Sequence, residues 1–108
     1  MNPENVKIVV FVPYSHADII RKTAGENGCG IIGNYSFCSF SSQGTGRFMP
    51  GQGANPHIGA LHAAGEVPEE RIEFICPKNY ASDVIKKIKS VHPYEEAAID
   101  VYPLLSLE

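Results

Sequence analysis

Val6-Lys7-Ile8-Val9-Val10-Phe11-Val12-Pro13 is the stretch that decides the fold. It is rich in β-branched residues and closes on a proline, which has no N–H for a central ladder, so it reads as a strand. Val6, Ile8, Val10 and Val12 fall on one face, and Val9 with Phe11 on the other. The strand is therefore apolar on both sides, and both need a cover. Just after it, Ser15-His16-Ala17-Asp18 fits the S-x-x-D capping pattern and predicts a helix from Ser15. Ala17, Ile20 and Ala24 recur at helical spacing, and Gly25 or Gly28 offers a left-handed stop after about ten residues.

Further along, Tyr35–Ser42 alternates aromatic and small polar residues and reads as a second strand. Gly44–Gly65 holds six of the ten glycines with Pro50, Asn55 and Pro56, which predicts a long connection with a short strand at Arg47–Met49. Arg71–Cys76 is a third strand ended by Pro77. With Asn79 as its cap, a second helix carries Ala81, Val84, Ile85, Ile88 and Val91 as one stripe, and Pro93 pushes His92 out of the helix. Ala97–Tyr102 is a fourth strand, closed by Pro103. Strand, helix, strand, strand, helix, strand is the ferredoxin-like split β-α-β order: an α+β fold with a four-stranded antiparallel sheet and both helices on one face. Because no third layer remains for the other face, the expected cover is a second copy of the chain.

The chain has 108 residues, 44% of them hydrophobic and 19% charged, enough for the core of one domain spanning 1–108. Nine Lys and Arg against 12 Asp and Glu leave a net charge of -3, which excludes a phosphate-backbone partner such as nucleic acid. Cys29, Cys38 and Cys76 form no C-x-x-C pair, so reduced thiols are expected rather than a disulfide framework. The longest apolar run is far short of a bilayer span, and Met1–Asn5 carries no basic residues of a signal peptide. These readings point to a cytoplasmic protein without membrane contact.

Gly28-Cys29-Gly30-Ile31-Ile32-Gly33 spells G-x-G-x-x-G, but a helix precedes it and a strand follows, the reverse of a dinucleotide-binding turn. The cluster Gly44-Thr45-Gly46-Arg47 has no P-loop ending; it reads either as an anion-holding nest beside Arg47 or as hairpin turn geometry. His57 and His62, five apart in a loop, lack the spacing of a preformed metal pair. His92-Pro93-Tyr94-Glu95-Glu96 gathers an imidazole, a phenol and two carboxylates at the mouth of a strand. That group suits a divalent ion or a positioned proton, or else a helix-end cation, an interface aromatic and surface charges. No nucleophile sits near a base in the sequence.

Gly33-Asn34-Tyr35-Ser36-Phe37-Cys38-Ser39-Phe40-Ser41, Gly44-Thr45-Gly46-Arg47-Phe48, Asn55-Pro56-His57-Ile58-Gly59 and His92-Pro93-Tyr94-Glu95-Glu96 together resemble the inserted domain of the YqfO/YbgI-type dinuclear-metal-centre family. The last string is also similar to a stretch of CutA, the divalent-cation-tolerance protein. The resemblance implies a PII/CutA-like fold that trimerises through its sheets, here as a stand-alone chain without the metal-binding lobes of the larger members. It implies a non-enzymatic sensing or assembly module, a homotrimer or a hexamer of two trimers, taking a small ligand, a divalent metal ion or a protein partner between subunits. The residues expected to bind ligand are Tyr35, Ser36, Gly44, Thr45, Gly46, Arg47 and Tyr94, with His92 and Glu95 for a metal ion. The rival expectation is a metal-dependent hydrolase, or a divalent-cation-tolerance protein, built on His92 and Glu95, with His57 or His16 completing the hydrolase site.

Overall fold

In the computed structural model, which describes residues 4–107, the apolar run becomes β1 (Asn5–Pro13). It lies inside a four-stranded sheet of order β2-β3-β1-β4, formed with β2 (Phe40–Phe48), β3 (Gly65–Pro77) and β4 (Ile99–Leu104). All neighbouring strands are antiparallel, with Ile8 opposite both Phe74 and Val101. Helices α1 (Ala17–Glu26) and α2 (Lys78–Val91) cover one face. Val6, Ile8, Val10 and Val12 meet Ile72, Phe74 and Cys76 there, under Ala17, Ile20 and Ala24 of α1 and Ala81, Val84 and Ile88 of α2. This is the expected ferredoxin-like arrangement. Residues 1–3, part of the stretch read as lacking a signal peptide, lie outside the described residues. Among the described residues no helix is long and apolar enough to cross a membrane.

Several boundaries differ from the sequence reading. The helix expected at Ser15 is preceded by a single 3-10 turn, Tyr14–His16, and starts at Ala17. The capping box does not form: Ser15 Oγ lies 2.7 Å from His16 Nδ1, and Asp18 pairs with Arg21 one turn on. Arg21 also donates to Glu70 Oε1 at 2.6 Å, pinning α1 to β3. Helix α2 starts at Lys78 behind Pro77, so Asn79 is not its cap. It ends as expected, with His92 extended at φ -79° and ψ 135° before Pro93. Strand β4 continues through Pro103, opposite Val6, because an edge strand tolerates a missing donor.

The largest difference is at β2. Residues 28–38 wind in place instead of forming a strand: Gly30 N–H donates to Ile75 O at 2.7 Å, and Cys38 N–H donates to Gly30 O at 2.8 Å. Tyr35 and Ser36 therefore lie in an exposed turn, and β2 begins only at Phe40. Gly44, Thr45 and Gly46, read as loop, and Arg47, read as the start of a short strand within it, are all β2 residues, paired with Glu69, Pro68, Val67 and Glu66. The true connection is residues 49–64. Thr45–Phe48 and Gly65–Pro68 run past the end of β1 as a two-stranded arm. The arm elongates the molecule to 49 × 27 × 22 Å, with a radius of gyration of 15.0 Å against about 13 Å for a compact chain of this length.

The face away from the helices is not the bare apolar surface expected. Val9 is only 1% exposed, and across the same face Arg71 Nε bonds Glu73 Oε2 at 3.0 Å while its guanidinium sits 5.6 Å from the centre of the Phe11 ring. Long charged side chains cover apolar neighbours with their stems, so the middle of this face is half-shielded by the chain itself. At one end the 49–64 connection folds over it as a partial roof. At the other, Phe40 on β2 and Tyr102 on β4 remain 68% and 45% exposed.

Candidate functional site

The roofed end encloses a cavity of about 390 Å³. Its floor is the open sheet face at Phe11, Gly46, Phe48 and Glu69, its roof is Met49–Gly51 with Ala54 and Pro56–Ile58, and its side wall is Tyr94–Glu96 with Ala98. The hydrogen bond from Asn55 N–H to Glu95 Oε1, 3.0 Å, ties roof to wall. The glycine of the G-T-G-R string has a local reason: the carboxylate of Glu69 lies where a side chain on residue 46 would stand. A strand position without a Cβ lets a carboxylate cross the sheet surface.

Tyr94 Oη donates to Glu69 Oε2 at 2.7 Å, and Glu69 is only 8% exposed. Burial, reinforced by that carboxylate, pushes the phenol well above its ordinary value, so Tyr94 stays a neutral donor. Behind it stands His92, 7% exposed, with ring centres 5.0 Å apart. His92 Nε2 lies 2.8 Å from Phe11 O and Nδ1 accepts from Tyr94 N–H at 3.1 Å. These contacts fix the tautomer with the proton on Nε2 and hold the His-Pro-Tyr turn against the end of β1. His57, reaching down from the roof, brings its ring centre to 6.4 Å from Tyr94 and 6.2 Å from His16, so four rings from three segments line up beside the cavity.

Burial lowers the His92 pKa from its ordinary 6.5, and the repulsion of His16 adds to that, against the Phe11 carbonyl and the charge of Glu69, which raise it. The unfolded chain takes up a proton near 6.5 while the folded one resists. The His92 contribution to stability is therefore complete above pH about 6.5 and lost as pH falls through the lower folded value. Urea midpoints should drop between pH about 7 and 5 and drop less in His92→Gln; identical profiles for the two proteins would contradict this.

Of the residues expected to bind ligand, Gly46, Arg47 and Tyr94 line the cavity, as does Glu95, expected for a metal. Gly44 and Thr45 lie next along β2 and are exposed. Tyr35 and Ser36, in the exposed turn, do not line it. Phe11, Phe48 and Glu69 were not among the expected binding residues, and His57 was expected only in the rival metal-hydrolase reading. Glu69 belongs to the site only because β3 starts at Gly65, a boundary hidden by the arm's glycines and prolines.

The donor set does not suit a resident metal ion. Both ring nitrogens of His92 are engaged, and among the described residues no group of three or more His, Cys, Asp or Glu could hold one. Cys29 and Cys76 are buried beside each other, and burial raises both thiol pKa values, Cys29 the more strongly.

No family model matches the chain. It is 48% identical over 98 residues to a protein of Halalkalibacterium halodurans named GTP cyclohydrolase 1 type 2 homolog, covering 91% of this chain and 26% of that protein. The relative of the same name from Bacillus subtilis is 43% identical over 98 residues, again 91% and 26%. Among solved structures, the Bacillus cereus protein related to NIF3 superposes with a TM-score of 0.84 at 47% identity, over 98% of this chain and 27% of that one. Over this segment the chain is similar to NIF3-related proteins. It spans about a quarter of the length of the family members it matches. The NIF3-related segment also has the fold of CutA1, the divalent ion tolerance protein. The Ehrlichia chaffeensis protein matches at TM-score 0.72 and 16% identity, over 98% of this chain and 86% of that one. The segment thus has a CutA-like fold, as the sequence resemblance implied.

Proposed function

We propose that this chain is a self-associating CutA-like module, a homotrimer, that receives a small ligand in the cavity under the 49–64 connection. The observation that carries the reading is the divided sheet face. One end is roofed and hollow, and the other presents Phe40 and Tyr102, 68% and 45% exposed, on its two edge strands. Exposed aromatic rings on a flat face are typical of contact surfaces. A two-stranded arm is marginal by itself and gains from packing on a neighbour. The cyclohydrolase named for the longer relatives forms no part of the proposal, because the cavity pairs no nucleophile with a base and its donor set does not suit a metal.

Association should make unfolding depend on concentration. The melting temperature is expected to rise by several degrees when the protein is concentrated about a hundredfold, because mass action stabilises the assembled state. A melting temperature unchanged over that range would contradict self-association.

A further inference from the structure

We infer that the cavity selects an organic cation with an apolar body, such as an amidine, a guanidine or an amine on an aromatic or branched carbon frame. The inference rests on the reading of the cavity as a ligand site and names the class of ligand. Three carboxylates line the cavity, Glu69, Glu95 and Glu96, against one cation, Arg47. Arg47 is drawn outward across the arm, its Nε 3.6 Å from Glu66 Oε1. Glu95 has one oxygen committed to Asn55 N–H. Glu69 is more than nine-tenths buried and takes Tyr94 Oη on Oε2, while Oε1, over Gly46, accepts no hydrogen bond among the described residues.

A largely buried carboxylate whose second oxygen is still open to solvent favours a ligand that brings both a donor and a positive charge. Beside His57 and Tyr94, the larger wall side chains, Phe11, Phe48, Met49, Pro50 and Ile58, are apolar. One face of the Phe11 ring already receives the Arg71 guanidinium, so Phe48 is the ring left to pack on a cationic frame. A cavity of about 390 Å³ is at the small end of the range for ligand sites and suits a single-ring molecule.

Calorimetric titration of the full chain with benzamidine, benzamide and benzoate tests the inference, since the three share a frame and differ in charge. Benzamidine is expected to bind at least about tenfold more tightly than benzamide, with benzoate weakest, and the gap should narrow as salt rises. Glu69→Gln should close the gap. Because Glu69 is buried and could be needed for folding, Glu96→Gln provides a second reading and should narrow it. If benzamide or benzoate binds as well as benzamidine, the cavity is a ligand site but the charge assignment is overturned. If none of the three binds, the inference and the reading beneath it both fail.

Discussion

A chain carrying Phe40→Ser together with Tyr102→Glu is expected to fold normally and to lose self-association. Both side chains are on edge strands, exposed and outside the core under the helices, so removing them takes nothing from that core. Tyr102 stands opposite Lys7 in the β1–β4 register, and a glutamate there gains a cross-strand partner. The cost falls on association. Each ring forfeits its contact area, and the new carboxylate would have to enter a dry contact without a fixed partner. Losing aromatic contacts of this kind weakens association by roughly a hundredfold or more. Sedimentation velocity at fixed concentration should show a single-chain species, with the far-UV dichroism of the wild type retained. An assembled species of unchanged size would move the interface away from this face.

Gly30→Ala is expected to give the largest loss of stability among the glycines. Gly30 is buried at φ +78°, and an added Cβ would run into the backbone N and O of Cys38, neither of which can rotate away. Its own N–H and C=O hold residues 28–38 to the sheet through Ile75 and Cys38. Left-handed strain and a backbone collision together should cost about 3 kcal/mol or more, a fall in melting temperature of about 15 °C for a chain this size. Gly33 provides the comparison. It too has positive φ, +57°, but nothing stands within 4 Å of its missing Cβ. Gly33→Ala should cost about 1 kcal/mol from conformation alone. Equal losses at the two positions would show that the collision at Gly30 is relieved elsewhere.

The contrast between these glycines explains why the G-x-G-x-x-G string misleads as a binding motif. Its residues serve a winding crossover from α1 to the sheet, held by backbone hydrogen bonds that no spacing rule encodes. Strand β1 and helix α2 were legible because their patterns follow from burial: a β-branched run for the first, an apolar stripe with a proline stop for the second. Strand β2 was not, since Ser41, Ser42, Gly44 and Gly46 have poor strand propensity and are held by pairing with β3. That misplacement hid Glu69 and left the 49–64 connection looking like free loop. Nor could the sequence show that Arg71 and Glu73 would screen Val9, because cross-strand neighbours depend on register. At the site, the His-Pro-Tyr-Glu string was visible as a cluster of chemistry. The role of His92 was not: both its nitrogens are consumed by a backbone carbonyl and a backbone N–H, which makes it a brace for Tyr94.

Whether the uncovered end of the sheet face joins copies is best tested by the mass of the wild-type chain in solution. Static light scattering across a dilution series should give about three times the 11.8 kDa chain mass at high concentration, falling on dilution. A mass of one chain throughout would contradict the account.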